Sequence, residues 1–98
     1  MLQDQIITAL IAAIFAGGYC ITLNDGDDDI LHLSYDVNRI RANMNSTEMD
    51  IFKVHYEREY IGFIQLIPGN GDDIVSNHSG NAIITNIVDK VLEDLNVL

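Results

Sequence analysis

Several residue types are scarce in this sequence, and their scarcity excludes some classes of protein. It contains one cysteine, one proline, no tryptophan and only five basic residues among 98. A single cysteine excludes an internal disulfide and is typical of a reducing compartment. Five bases against fifteen acids give a formal charge of −10. That charge disfavours direct binding to nucleic acids or anionic membranes and favours cationic partners.

Signals for targeting or membrane insertion are also missing. The apolar stretch 6–18 is too short to cross a bilayer, and no basic residue precedes it as in a signal peptide. We therefore expect a cytoplasmic protein without a membrane partner. The length and a hydrophobic content of 48% suffice for one domain, residues 1–98, around one core.

Two segments have the periodicity of amphipathic helices. Residues 83–95 place apolar side chains on about half of the helix circumference, while residues 2–16 combine a broad apolar face with a face of small residues. A glycine pair at 17–18 predicts the end of the first helix, because glycine adopts a left-handed conformation without a Cβ penalty. Ser76 or Ser79 is predicted to cap the last helix.

Four stretches between these helices are predicted to be β-strands. Their apolar residues alternate or fill both faces, and turn-forming residues separate them. The predicted strands are residues 19–23, 30–37, 49–57 and 60–67. Residues 38–48 either extend the second strand as far as a turn at 43–46 or contain a short helical turn. The sequence thus predicts an α+β fold: a four-stranded antiparallel β-meander with an N-terminal and a C-terminal helix packed on one face, in the order α-β-β-β-β-α.

One aspartate-rich turn resembles a fragment of a calcium site. Asp25, Asp27 and Asp29 have the spacing of the first three ligands of an EF-hand loop. Ile30 and Asp36 stand where that loop requires glycine and glutamate, and strands rather than helices are predicted on both sides. The pattern therefore favours a solvated hairpin tip over an EF-hand.

A histidine pair offers a second metal-site hypothesis. His32 and His55 are predicted to lie on the outward face of the second and third strands, with Asp36 and Glu57 on the same face. They could share a metal ion if the two strands were adjacent. The spacing does not specify such a site, and neither a nucleophile–base pattern nor a glycine-rich phosphate loop is present. We therefore predict no enzymatic activity, no cofactor and no bound metal.

Carboxylates are concentrated at three places. Four lie at the predicted tip of the first hairpin, two follow the fourth strand, and two crowd the last turn of the final helix, where the helix dipole disfavours anions. These candidate partner-binding residues are Asp25, Asp27, Asp28, Asp29, Asp72, Asp73, Glu93 and Asp94. Four of the five basic residues fall within residues 39–58, so the rest of the chain is almost purely acidic. Such asymmetry can orient a docking partner.

Through the acids at 25–29 and 72–73, the chain resembles small acidic phage proteins that block host defence, the anti-CRISPR and DNA-mimic anti-restriction inhibitors. The resemblance covers size, charge and mixed helix-sheet composition over the whole chain and involves no shared motif. It implies an inhibitor that occupies the basic nucleic-acid-binding surface of a host protein, such as a CRISPR effector, in the host cytoplasm.

Two other interpretations use apolar surfaces instead of charge. One is a small acidic dimeric chaperone, similar to those that serve type III secretion effectors. The other is a self-assembling structural protein. Both would use the small-residue face of the first helix or the two-faced fourth strand, and the chaperone interpretation predicts a homodimer.

Overall fold

The computed structural model describes residues 2–44 and 48–97. The elements in these ranges, in chain order, are α1 (Leu2–Ala16), β1 (Cys20–Asn24), β2 (Asp29–Ser34), α2 (Val37–Asn43), β3 (Asp50–Tyr56), β4 (Glu59–Leu66), a 3₁₀ turn (Gly71–Asp73), β5 (Val75–His78) and α3 (Ala82–Asp94). The α+β class is confirmed. Both predicted terminal helices are present, and α3 is displaced by one residue from the predicted range.

The five strands form one antiparallel sheet in the order β2-β1-β3-β4-β5. The predicted four-stranded meander is therefore wrong, both in the number of strands and in their order. The chain passes from β2 through α2 to β3, and β3 then pairs with β1 instead of β2. Burial is consistent with this order, because all of β1 is buried, whereas every residue of β2, at the edge, is exposed or half-buried.

Two elements outside the predicted order, α2 and β5, are both short: a short helical turn was an alternative for the first, and the second was missed. α2 has seven residues and buries only Ile40. Its N-cap is Asp36, whose carboxylate accepts hydrogen bonds from the N–H groups of Asn38 and Arg39 at 3.0 and 3.2 Å. β5 has four residues and is held by its pairing with β4. Neither is long enough to show a periodicity, and the predicted turn at 43–46 lies partly outside the described residues.

One core fills the space between the sheet and the helices. The helices contribute Ile6, Ile7, Leu10, Ile11, Ile14, Ile40, Ile84, Val88 and Val91, and the strands contribute Ile21, Leu23, Phe52, Val54, Ile64 and Leu66. Burying one such side chain stabilises the fold by about 1.5–3 kcal/mol. Helices α1 and α3 share this core and pack on the same face of the sheet, and the opposite face is open.

α3 approaches the sheet closely at a glycine of β4. A Cβ atom on Gly62 would lie 2.6 Å from Cγ1 of Ile84 and 2.8 Å from Oγ of Ser79, so a larger residue would push the helix away. The cap of α3 is Asn81, and the prediction of Ser76 or Ser79 is wrong. Oδ1 of Asn81 accepts from the N–H of Ile84 at 2.9 Å, while Nδ2 of Asn81 donates to a β4 carbonyl at 3.0 Å. The side-chain amide thus joins the helix to the sheet.

Candidate functional site

Two acidic segments that are distant in sequence meet at one end of the sheet. β1 ends at Asn24, which pairs with Ile51 near the start of β3. β4 runs back along β3 and ends at Leu66, opposite Asp50. The β1–β2 turn and the loop after β4 therefore lie at the same end, separated by about 10 Å, which is two strand spacings.

We call the accessible carboxylates at this end of the sheet the acidic end. They are Asp25, Asp27, Asp28, Glu48 and Asp73. Glu48 was not predicted, and it joins the group because it lies two residues before β3. Asp72 belongs to the same 3₁₀ turn, but its side chain lies outside the described residues. Asp50, fully buried at this end, is a further carboxylate that the sequence pattern did not indicate.

The tip of the β1–β2 hairpin is ordered by one of its own carboxylates. Oδ1 of Asp25 accepts from the N–H groups of Asp27 and Asp28 at 2.9 and 2.8 Å. Both hydrogen bonds lower the pKa of the Asp25 carboxyl, and the bond from Asp28 has the larger effect. The side chains of Asp27 and Asp28 are exposed. Asp25 therefore shapes the turn, and its two neighbours present charge to the solvent.

Asp29 differs from the other tip residues because its carboxylate is paired. Oδ1 of Asp29 accepts from Nδ2 of Asn24 and from Nζ of Lys53, both at 2.8 Å. Both hydrogen bonds lower the pKa of Asp29, and the bond from Asn24 has the larger effect. Asp29 therefore points across β1 towards β3, and contributes less free charge to the tip than was predicted.

The two acids at the end of α3 are not linked to the acidic end. Glu93 and Asp94 are exposed in the last turn, where the chain leaves the helix through Asn96 in a left-handed conformation with φ of 58°. Within residues 2–44 and 48–97, no hydrogen bond or ion pair joins either carboxylate to the hairpin tip. Their role in binding a partner, like that of the other predicted acids, stays a prediction.

The open face of the sheet carries a shallow depression of about 570 Å³. Its lining comes from β1, β2, β3, the β3–β4 turn and the start of β4, and consists of Thr22, Asp29, His32, Leu33, Lys53, His55, Arg58 and Tyr60. Two of the five basic residues and two of the three histidines of the chain are included. The depression is therefore basic in a protein that is strongly acidic.

An irregularity in β2 shapes one side of this depression. The pairing of β2 with β1 shifts register, and Leu33 adopts a positive φ of 49°. Its N–H donates to Oγ1 of Thr22 at 3.1 Å. As a result, Leu33 lies beside His32 on the open face. The regular alternation predicted for this strand is therefore wrong.

The histidines of the depression do not form the metal group considered above. His32 lies on β2 and His55 on β3, and β1 separates these strands. In the part of the chain that the structure describes, no three histidine, cysteine, aspartate or glutamate side chains are grouped so that they could hold a metal ion.

Among the helices of the described residues, none has both the length and the apolar character needed to cross a membrane.

Comparison with protein-family models, characterised proteins and solved structures finds no match to this chain. The functional proposals below therefore rest on the charges and geometry of the chain itself.

Proposed function

We propose that the protein is an acidic, non-enzymatic inhibitor that occupies a basic nucleic-acid-binding surface of another protein through its acidic end. The observation that carries this proposal is the location of the exposed Asp27, Asp28 and Asp73 at the same end of the sheet. The target class is a nucleic-acid-handling host enzyme, of which a CRISPR effector is one example, and the site of action is the host cytoplasm.

The geometry of the acidic end suits such a role in two ways. Carboxylates spread over about 10 Å can reach several basic side chains that would otherwise contact neighbouring phosphates. The turn is already held by the two hydrogen bonds to Asp25, so less conformational freedom is lost when a partner binds. Both effects favour binding of a basic groove over general attraction to any cation.

Competition for nucleic acid tests this proposal. The protein should displace a labelled duplex from its basic target, and its affinity should fall steeply as salt screens the charges. The triple variant Asp27→Asn, Asp28→Asn, Asp73→Asn should compete at least tenfold more weakly. Asp25 and Asp29 are left unchanged because their carboxylates hold the turn and Lys53.

A matched control removes three charges elsewhere. The variant Asp89→Asn, Glu93→Gln, Asp94→Asn has the same net charge but alters only exposed residues of α3. It should compete almost as well as the parent. Equal weakening by the two variants would show that only total charge matters, and would contradict a specific role for the acidic end.

The outward face of α1 favours a second candidate function, a homodimer that works as a chaperone or a structural protein. This face has a depression of about 430 Å³ lined by Asp4, Gln5, Thr8, Ala9 and Ala12. The other surface predicted for a dimer, β4, lies between β3 and β5, so its backbone is paired on both sides. Light scattering would support this candidate if the parent is dimeric and Ala12→Glu is monomeric.

A further inference from the structure

Basic side chains line the open face of the sheet between the acidic end and the β3–β4 turn. Lys53 and Arg58 line the depression together with His32 and His55, and Asp29 is the one acid in the lining. From these residues the local formal charge is +1 with neutral histidines, two bases less one acid.

Lys53 is held in place by a chain of hydrogen bonds across three strands. Asn24 on β1 is buried; its Oδ1 accepts from the N–H of Gly26 at 2.7 Å, and its Nδ2 donates to Asp29 on β2 at 2.8 Å. Asp29 in turn accepts from Nζ of Lys53 on β3 at 2.8 Å. An ammonium group has three donors, so two remain for a ligand.

His55 and Arg58 add further polar groups beside Lys53. Nδ1 of His55 lies 3.2 Å from the carbonyl oxygen of Lys53, which can only accept, so Nδ1 carries the proton. Nε2 of the neutral ring is then an acceptor and is left for a hydroxyl of the ligand. The imidazole also stands edge-on to the ring of Tyr60, with 5.5 Å between centroids. Arg58 forms no ion pair within the described residues, and its guanidinium offers a planar set of five donors.

We propose that this depression binds a small phosphomonoester. The phosphate group would be held by Lys53, Arg58 and the two histidines, and the organic part would lie against Tyr60. Arginine and lysine donors suit a phosphate, because its oxygens accept several charge-assisted hydrogen bonds at once. A volume of about 570 Å³ falls within the range of small-molecule sites, about 300–1,000 Å³, and leaves room beyond the phosphate itself.

The overall negative charge does not prevent such binding. The β3–β4 turn, which carries Arg58, lies at the end of β3 opposite to the acidic end. Seven residues of strand separate the two ends by about 20 Å, whereas screening acts over about 8 Å at physiological ionic strength. Glu57 and Glu59 flank Arg58 on the exposed turn and moderate its attraction for an anion. This site goes beyond the proposed inhibitory function, since it uses a different surface.

Titration with phenyl phosphate tests the site on the full chain. Isotope-labelled protein should show saturable shifts of the His32 and His55 imidazoles and of β3 amides, with a dissociation constant below about 1 mM. Sodium chloride at the same ionic strength should not reproduce these shifts. Inorganic phosphate should bind more weakly, because it lacks the ring that would contact Tyr60.

Matched substitutions show whether the named residues hold the phosphate. Arg58→Gln and His55→Gln should each weaken binding, the former by about tenfold, the equivalent of one strong charged contact. Arg39→Gln and Lys90→Gln remove one charge each outside the depression and should change affinity by less than twofold. Two results would overturn the proposal: the absence of saturable shifts, or equal weakening by the control variants. Unchanged amide spectra away from β3 would confirm that Arg58→Gln, on an exposed turn, is folded.

Discussion

The acidic end and the open-face depression belong to one sheet but present charges of opposite sign. At the acidic end, Asp25 holds the turn and exposes the carboxylates of Asp27 and Asp28 to solvent. In the depression, Asp29 pairs with Lys53, and Arg58 remains unpaired within the described chain. A net charge of −10 therefore does not describe each surface of the molecule. Strand pairing determines where each sign is concentrated.

The largest expected effect is on the free energy of unfolding, and it comes from substitutions in the core that supports both regions. Ile84 of α3 is fully buried against Gly62 and the common core, so Ile84→Ala should lower the free energy of unfolding by about 2–5 kcal/mol. Ile87 is half-buried, and its replacement by alanine should cost less. Chemical denaturation measures both values. Ile83, which is 41% exposed, provides the control, and an equal loss for Ile83→Ala would contradict the observed orientation of α3.

A single substitution between the two regions should change their ligand affinities in opposite directions. Lys53→Met removes the cation that pairs with Asp29 and leaves that carboxylate with Asn24. Binding of phenyl phosphate should weaken about tenfold, while attraction of a cationic partner should rise slightly, because one more carboxylate is unneutralised. Titration calorimetry with each ligand measures the two effects. A change of both affinities in the same direction would show that the surfaces are not independent.

The smallest expected effect concerns the pH dependence of Asp29. Its pKa in the folded protein is lowered, so its charged form stabilises the fold above the unfolded pKa of about 3.9. That contribution is lost as the pH falls through the lower folded-state value. Asp29→Asn should therefore be less stable than the parent at pH 7, by less than about 1 kcal/mol for a partly exposed pair. The difference should shrink as the pH falls below that lowered value, and thermal melts at pH 7 and in acid measure it.

Local patterns predicted the longer elements but not their arrangement. The periodicity of α1 and α3 lies within each segment, as does the alternation of β1, β3 and β4, so both could be read from neighbouring residues. The position of β1 between β2 and β3 could not, because it depends on pairing between residues about 30 positions apart, such as Asn24 and Ile51.

The same limit applies to the candidate sites. Asp25, Asp27 and Asp28 are adjacent in sequence and were predicted as a tip. Glu48 joins them only through the pairing of β1 with β3. The depression depends on the irregular register at Leu33 and on the Asp29–Lys53 pair, which links residues of two different strands. Only the concentration of bases within residues 39–58 gave a local signal for a basic surface.

Separate binding of opposite ligands on the two surfaces can be measured with one isotope-labelled sample. Amide and imidazole signals would be followed during titration first with a short oligo-arginine peptide and then with phenyl phosphate. We expect the peptide to shift residues 25–28, 48 and 73, and phenyl phosphate to shift His32, Lys53 and His55. The two sets should not overlap, and the peptide shifts should decline as salt rises. Coincident sets, or peptide shifts that are spread over all acidic residues and include Glu93 and Asp94 equally, would contradict a dedicated acidic end.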